Sequence, residues 1–431
     1  MARQMKESGI DWIGEIPSNW KVGKIKYCTT KIGSGKTPKG GSEVYTQTGV
    51  LFIRSQNVYD EGLKLDKPFF ITPEMDSEMS STRVAENDVL LNITGGSIGR
   101  SCIMPASHLP ANVNQHVSII RVRQGLVMPQ IMHYFWMSNA GKTAIDLFQT
   151  GGNREGMSAD AIANTPFLYY GMDEQKRIVY YLDKKCAQID AVISKTNATI
   201  EEYKKLKQSI IAEAVTKGIQ RNRQMKPSGV DWIGKLPADW KVQRGKRLFV
   251  ETNERSIDGH EELLTVSHIT GVTPRSMKNV NMFMAESLVD YKVCHIGDLA
   301  ANTMWMWQGA IGVSKYEGVI SPSYNTYRQR NNSYYYGYLE YLLRIPNLVA
   351  TYAAYSTGIT ASRLRLYPDQ FFSIMFPVPP MSEQKEIADY LDKKCAEIDT
   401  LISKKAALLE ELENYKKSII YEYVTGKKEV Q

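Results

Sequence analysis

MKESGIDWIGEIPSNWKV, residues 5–22, returns at 225–242 as MKPSGVDWIGKLPADWKV, displaced by 220 positions. A second recurrence follows it. EQKRIVYYLDKKCAQIDAVISK opens the stretch 174–217 and EQKEIADYLDKKCAEIDTLISK opens 383–426, displaced by 209 positions without a gap. Two such recurrences make the chain a tandem duplication. The offsets leave the first intervening stretch, 23–173, longer by 11 residues than the second, 243–382. The flanks are nearly copied while the middles share little sequence, so the halves keep one skeleton and present different chemistry at a comparable position. A period this long exceeds that of solenoid repeats; each unit reads as a whole domain plus a helix, and two copies imply a pseudo-two-fold arrangement.

The resulting plan has six parts: a repeated segment at 1–22, a first domain at 23–173, a long helix at 174–218, a linker with the second repeated segment at 219–242, a second domain at 243–382 and a second long helix at 383–427. No Pro or Gly interrupts Glu174 to Lys217, and Gly218 follows where helices commonly end. At a rise of 1.5 Å per residue that stretch makes a helix of about 66 Å. Apolar residues at heptad spacing predict that the two helices pair, with Leu182, Ile189, Val192, Tyr203, Leu206 and Ile210 facing Leu391, Ile398, Leu401, Leu408, Leu412 and Ile419. Antiparallel packing is the simplest arrangement under two-fold symmetry; docking on the parent domain or pairing between molecules are the alternatives. A third row, Cys186, Ile193 and Ile200 with Cys395, Ile402 and Leu409, widens the stripe beyond a two-helix seam and predicts a further cover. Pro379 and Pro380 stand just ahead of Ser382, which is expected to cap the second helix.

At 431 residues, 43% apolar and 23% charged, the chain suits a multi-domain globular protein. It holds no apolar run near the roughly 20 residues a bilayer requires, and the opening MARQMKESGIDW has no signal-peptide core, so a cytoplasmic location is expected. Cys28, Cys102, Cys186, Cys294 and Cys395 are odd in number and never form a CxxC pair, which argues for buried thiols over disulfides or zinc. A net charge of +7 permits a polyanionic partner without requiring one.

Both middles show short β-prone runs: Val50–Arg54, Val89–Ile93 and Val117–Val122 in the first, Leu263–Val266 and Ile311–Ser314 in the second. Each then turns helical, at Pro129–Ala140 and at Tyr338–Tyr355. The fold class is therefore α+β: two β-rich domains with helices, joined by two long antiparallel coiled-coil helices. Gly-rich loops with polar tips lie between the strands, and polar loops carrying Arg follow the helices. They offer the donors that suit base edges and phosphates. In the first middle the candidates for nucleic-acid contact are Lys36, Arg54, Gln56, Asn57, Thr94, Ser97, Arg100, Asn114, Gln115, His116, Asn153 and Arg154. In the second they are Asn302, Trp305, Trp307, Gln308, Ser321, Tyr324, Thr360, Ser362 and Arg363. An ordinary solvated turn is the competing reading for any one loop, and the recurrence of such loops in both halves favours function.

Catalytic motifs fail on inspection. Gly33-Ser34-Gly35-Lys36-Thr37 resembles the end of a phosphate-binding loop, but Thr30 stands where its first Gly belongs and Pro38 opposes the helix that should follow. The sole Pro-Pro, in Val378-Pro379-Pro380-Met381, lacks the Asp or Asn and the aromatic residue of an adenine methyltransferase tetrapeptide. No GxGxxG follows a strand, and His108, His116, His133, His260, His268 and His295 show no metal-ligand spacing. No cofactor, metal or catalytic residue is expected on this chain.

With these residues in view, the chain resembles the specificity subunits of type I restriction-modification systems. The resemblance rests on the SG-DWIG-P-W segment before each domain and on Glu-Gln, Ile and Leu-Asp at the start of each helix, Glu174, Gln175, Ile178, Leu182 and Asp183 in the first copy. Asn302 to Ser314 and Gly318 to Tyr324 are similar to that family's target-recognition domains. The first copy departs from the pattern at Leu168–Gln175, which lacks the prolines. The resemblance implies a non-catalytic, DNA-reading subunit: each domain reads one half of a bipartite, asymmetric double-stranded DNA site, and the helices set the gap. It implies two modification subunits as partners for adenine-N6 methylation, with restriction subunits joining through them for ATP-dependent cleavage. S-adenosylmethionine, ATP and Mg are expected on those partners, and no membrane is involved. A coiled-coil scaffold without DNA readout is the rival reading, and a stand-alone enzyme has only the Gly-rich loops and stray histidines in its favour.

Overall fold

A computed structural model describes residues 3–149, 156–278, 287–358 and 364–430. The chain divides into two compact units, one built from Met1–Thr196 with Ala407–Gln431, the other from Asn197–Ala406. The boundary therefore falls inside both long helices.

In the first unit the repeated segment ends in β1 (Lys21–Lys24), and β2 (Thr29–Ser34) follows one short turn later. Next come β3 (Val50–Ile53), β4 (Phe69–Ile71), β5 (Val89–Asn92), β6 (Ser101–Ile103), β7 (Ala111–Val113) and β8 (Val117–Val122). The helices α1 (Pro129–Met137) and α2 (Asn139–Phe148), then β9 (Pro166–Tyr169), lead into α3 (Met172–Lys217). Four strands form an antiparallel sheet in the order β6-β5-β8-β2, while β3 lies between β7 and β4 in a second sheet, parallel to β7. β9 pairs with β1, so the strand that launches the long helix is tied to the repeated segment.

The second unit carries β10 (Lys241–Arg244), β11 (Phe249–Thr252), β12 (Leu299–Ala301), β13 (Ile311–Val313) and β14 (Asn325–Gln329). After them come α4 (Tyr336–Leu342), α5 (Pro346–Tyr355), β15 (Met375–Val378) and α6 (Met381–Val424). Its antiparallel sheet runs β13-β12-β14-β11, the counterpart of β6-β5-β8-β2 strand for strand, and β15 closes on β10 as β9 does on β1. Sequences with little in common thus build one topology. An ion pair to a buried carboxylate recurs as well: Arg121 on β8 grips Asp88 with two bonds of 2.7 Å, and Arg328 on β14 grips Asp298 with two of 2.8 Å. Each carboxylate is buried at the turn before the strand it serves, while its arginine stays partly exposed, so the pair satisfies the buried charge from the surface side.

The copied residues hold the frame. Gln175 donates to the carbonyls of Leu126 and Tyr170 and accepts from the Met128 N–H; Gln384 donates to those of Ser333 and Pro379 and accepts from the Tyr335 N–H. Each glutamine therefore pins the first turn of its long helix to the start of the preceding helical region. Tyr134 and Tyr341 each donate to the Asp of the Leu-Asp pair, Asp183 and Asp392, at 2.6 Å. Ser382 lies inside the first turn of α6, whose first backbone bond runs from Gln384 to Pro380, so the expected cap is displaced by the glutamine arrangement. Both helices end on glycines with positive φ, Gly218 (77°) and Gly426 (74°), as a left-handed stop requires.

Within the first unit α3 meets the end of α6 antiparallel, with Tyr181 against Tyr423 and Lys416 bonded to Asp190 at 2.6 Å. Within the second unit Lys207 bonds Asp399 at 2.6 Å, and Val215 joins the core that holds Ile387 and Leu391. The row Leu182, Ile189 and Leu391, Ile398, Ile419 is buried, and Tyr203, Ile210 and Leu412 are half-buried. Val192, Leu206, Leu401 and Leu408 are exposed by 47, 48, 43 and 36%, which corrects their placement in the seam. The second buried row is Cys186, Ile200, Cys395 and Lys416, with Ile193, Ile402 and Leu409 half-buried. Ile178 and Ile387, two heptads before Val192 and Leu401, are buried by the cores of their own units.

Candidate nucleic-acid interface

In the first unit the candidate residues converge on one cluster of loops. Gly35 turns the chain after β2 against the carbonyls of Val113 and Asn114, where a Cβ would collide, and places Lys36 and Thr37 in solvent. Thr37 donates to the Gln115 side chain, Gln115 Nε2 meets His116 Nε2 at 3.1 Å, and His116 Nδ1 meets Thr94 Oγ1 at 2.7 Å. These bonds link the loop after β2, the β7–β8 turn and the β5–β6 loop. The turn after β3 joins them through Asn92, whose Nδ2 donates to the Ser55 carbonyl at 2.8 Å and to Ser97 Oγ at 3.1 Å. Arg54 lays its guanidinium 3.7 Å over the Phe69 ring, and Arg100 lies 4.7 Å over Tyr59. Stacking of this kind fixes a cation while leaving its charge outward.

Two candidates are framework instead. Asn57 is buried, accepts from the Arg54 N–H at 3.0 Å and donates to the Lys64 carbonyl at 2.9 Å. Asn114 is buried and accepts from the His116 N–H at 3.2 Å. Each uses its side-chain oxygen to shape the turn that exposes a neighbour, Gln56 and Gln115. Asn153 and Arg154 lie outside the described residues.

In the second unit Asn302 plays the same framework part: it is buried, donates to Tyr324 Oη at 2.8 Å and accepts from the Met304 N–H at 3.2 Å. Desolvation raises the Tyr324 hydroxyl above its ordinary pKa. Ser321 accepts from the Ser323 N–H, and Thr303 donates to the Ser323 carbonyl, so the loops at 302–308 and 321–324 form one surface. Trp305 is 48% exposed there; Trp307 and Gln308 are half-buried. Thr360, Ser362 and Arg363 lie outside the described residues.

The sequence reading missed Lys142 on α2, whose ammonium donates to the Gly99 carbonyl at 2.5 Å and so braces the β5–β6 loop. Burial lowers its pKa. It sits on an ordinary helical pattern with its partner 43 residues away, a pairing that no local pattern signals. His133 is also structural: its Nδ1 meets Ser101 Oγ at 2.8 Å, and desolvation lowers its pKa to about 4. His295 is clamped between Glu254 at 2.9 Å and Glu317 at 2.8 Å, and the Glu254 bond above all raises its pKa. Among the described residues no group of three His, Cys, Asp or Glu side chains is disposed to hold a metal, and no helix is long and apolar enough to cross a membrane.

Residues 277–413 match the family model described as type I restriction modification DNA specificity domain. Along nearly its whole length the chain is similar to type I restriction-modification specificity subunits. It is 22% identical over 435 residues to the putative type I restriction enzyme MjaX specificity subunit of Methanocaldococcus jannaschii, with 96% of this chain and 95% of that one aligned. It is 21% identical over 402 residues to the StySPI specificity subunit of Salmonella potsdam, covering 90% and 84% of the two chains. Among solved structures, one reported for complex assembly and conformational transition of the type I R-M system aligns at a TM-score of 0.71 and 16% identity, covering 96% of this chain and 99% of the other. The HsdS subunit of Thermoanaerobacter tengcongensis aligns at 0.51 and 16% identity, covering 96% and 98%. The chain has the mixed helix and sheet architecture read from its repeats, with two long helices.

Proposed function

We propose that this subunit reads a bipartite DNA site, one half through the loops of each unit, while α3 and α6 set the distance between the halves and dock two modification subunits. The observation that carries the reading is the pairing of identical strand order with unlike loops: β6-β5-β8-β2 and β13-β12-β14-β11 are one scaffold carrying two sets of side chains. A protein that reads two different half-sites with one geometry is built this way. Methyl transfer and cleavage, with S-adenosylmethionine, ATP and Mg, belong to the partner subunits in this proposal, and the complex works in the cytoplasm with no membrane contact. Restriction subunits join through the modification subunits.

The test is methylation mapping in cells that express this chain with its modification partners. Deleting the chain is expected to erase one bipartite adenine-methylation motif. Exchanging 243–382 for the matching region of a relative is expected to change one half of the motif and leave the other half and the gap alone. Inserting about one helical turn in both α3 and α6 is expected to widen the gap with both halves intact. Loss of no motif on deletion, or a change in both halves on exchange, overturns the reading.

A further inference from the structure

The two units carry the same loop with opposite contents. A buried Asn stands at the end of β5, Asn92, and directly after β12, Asn302, and each loop closes on a glycine with positive φ, Gly99 (81°) and Gly309 (88°). The Asn N–H of each bonds across the loop mouth, Asn92 to the Arg100 carbonyl at 2.8 Å and Asn302 to the Ala310 carbonyl at 2.9 Å. Between these fixed ends the first unit has Gly95 and Gly96 at its tip, a bare backbone. The second has Met304, Trp305, Met306 and Trp307.

The tryptophan loop is rigid from within. Trp307 Nε1 donates to the Met304 carbonyl at 3.0 Å, the Trp305 N–H to the Asn302 carbonyl at 3.0 Å, and the Gln308 N–H to the Trp305 carbonyl at 2.9 Å. The side-chain polar groups of Asn302, Thr303 and Trp307 are spent on these and neighbouring bonds. The most exposed side chains of the loop are large and apolar: Met304 is 41% and Trp305 48% exposed, and the Trp305 ring lies within 15° of parallel to that of Trp307. A fixed indole held in water at the tip of a loop has lost its conformational freedom before any partner arrives, which favours stacking on a flat aromatic surface.

We propose that Trp305 is a DNA-stacking residue that inserts against an unstacked base of the half-site read by the second unit, whereas the glycine tip of the first unit's loop has no ring to insert. This rests on the DNA-reading assignment above. Aromatic stacking on an opened base step needs no hydrogen-bond donors, and the Asn302, Thr303 and Trp307 side chains already have theirs committed within the protein.

The experiment uses the full chain assembled with its modification subunits and a duplex bearing the mapped motif, scanned with 5-iodouracil through the second unit's half-site. Irradiation is expected to crosslink one position to Trp305. Trp305→Ala is expected to weaken binding about 5- to 150-fold, the range of one lost base stack. Trp305→Phe should stay within about threefold of wild type, which excludes misfolding as the cause. Binding by the alanine variant within twofold of wild type, or equal loss in both variants with no crosslink at 305, overturns the stacking role while leaving DNA reading in place. Failure of the wild-type complex to bind its duplex overturns both.

Discussion

Glu383 accepts the indole N–H of Trp240 at 2.8 Å from 143 residues further along the chain, and the same carboxylate is paired with Arg223. Glu174 repeats this with Trp20 at 3.0 Å and Arg3 at 2.5 Å. The two best-copied parts of the sequence, the DWIG segment and the Glu-Gln helix start, are thus copied because they are bonded to each other. Glu383→Ala leaves a buried indole N–H without its acceptor and the Arg223 guanidinium with Asp239 alone, and should cost roughly 3 kcal/mol. Glu383→Gln keeps an acceptor for Trp240 and should cost less than half of that. Chemical denaturation of the full chain separates the two, and equal losses would show that the ion pair alone matters.

The helix seam yields a second expectation. Leu391 is fully buried in the second unit, so Leu391→Ala should cost 2–5 kcal/mol. Leu401→Ala, ten residues on, removes a side chain that is 43% exposed and should change stability by no more than about 0.5 kcal/mol. A large loss at 401 would return that row to the seam.

That contrast also shows where the sequence stops being legible. The duplication, the two long helices and the row Leu182, Ile189, Leu391, Ile398 and Ile419 follow from residue pattern alone, because copying and period are local properties. The second row does not. Apolar residues flank the first row on both sides, at Val192 and Leu206 and again at Cys186 and Ile200, and only the position of the partner helix decides which side is dry. The loops behave likewise: a polar tip was readable, but Asn57, Asn114 and Asn302 turn inward while Gln56 and Gln115 turn outward, a choice made by backbone geometry at each turn. The pairs Arg121–Asp88 and Arg328–Asp298, 33 and 30 residues apart, carry no local signal at all.

Stability should respond to pH through two histidines with opposite signs. His133 faces Ser101, Asp60, Lys142 and Lys416, and its folded pKa of about 4 lies below the unfolded value near 6.5. The unfolded chain therefore binds the proton first: the contribution is present above about pH 6.5 and is lost as pH falls toward 4, by roughly 3 kcal/mol at most. His295, raised by Glu254 and Glu317, contributes below its unfolded pKa and loses that contribution as pH rises through the raised value. Urea midpoints measured from pH 4 to 9 should show the acid-side fall flattened in His133→Asn. An unchanged acid slope in that variant would assign the fall to other groups.

The clearest separation of framework from reader lies in adjacent residues, Gln56 and Asn57. Asn57→Ala removes a buried side chain that accepts from the Arg54 N–H and donates to the Lys64 carbonyl, so it should cost about 1–3 kcal/mol of stability. Gln56 is exposed on the same turn, and Gln56→Ala should leave the melting curve in place. In the assembled complex the order reverses for DNA: a base-contacting Gln56 predicts a loss of about 1–3 kcal/mol on the cognate duplex with little change on non-cognate DNA. A phosphate-contacting Lys36 instead predicts uniform weakening across sequences and a shallower salt slope in Lys36→Ala. Measuring both duplexes at two salt concentrations distinguishes the roles, and a Gln56→Ala variant that binds both duplexes as wild type does would remove that residue from the reading surface.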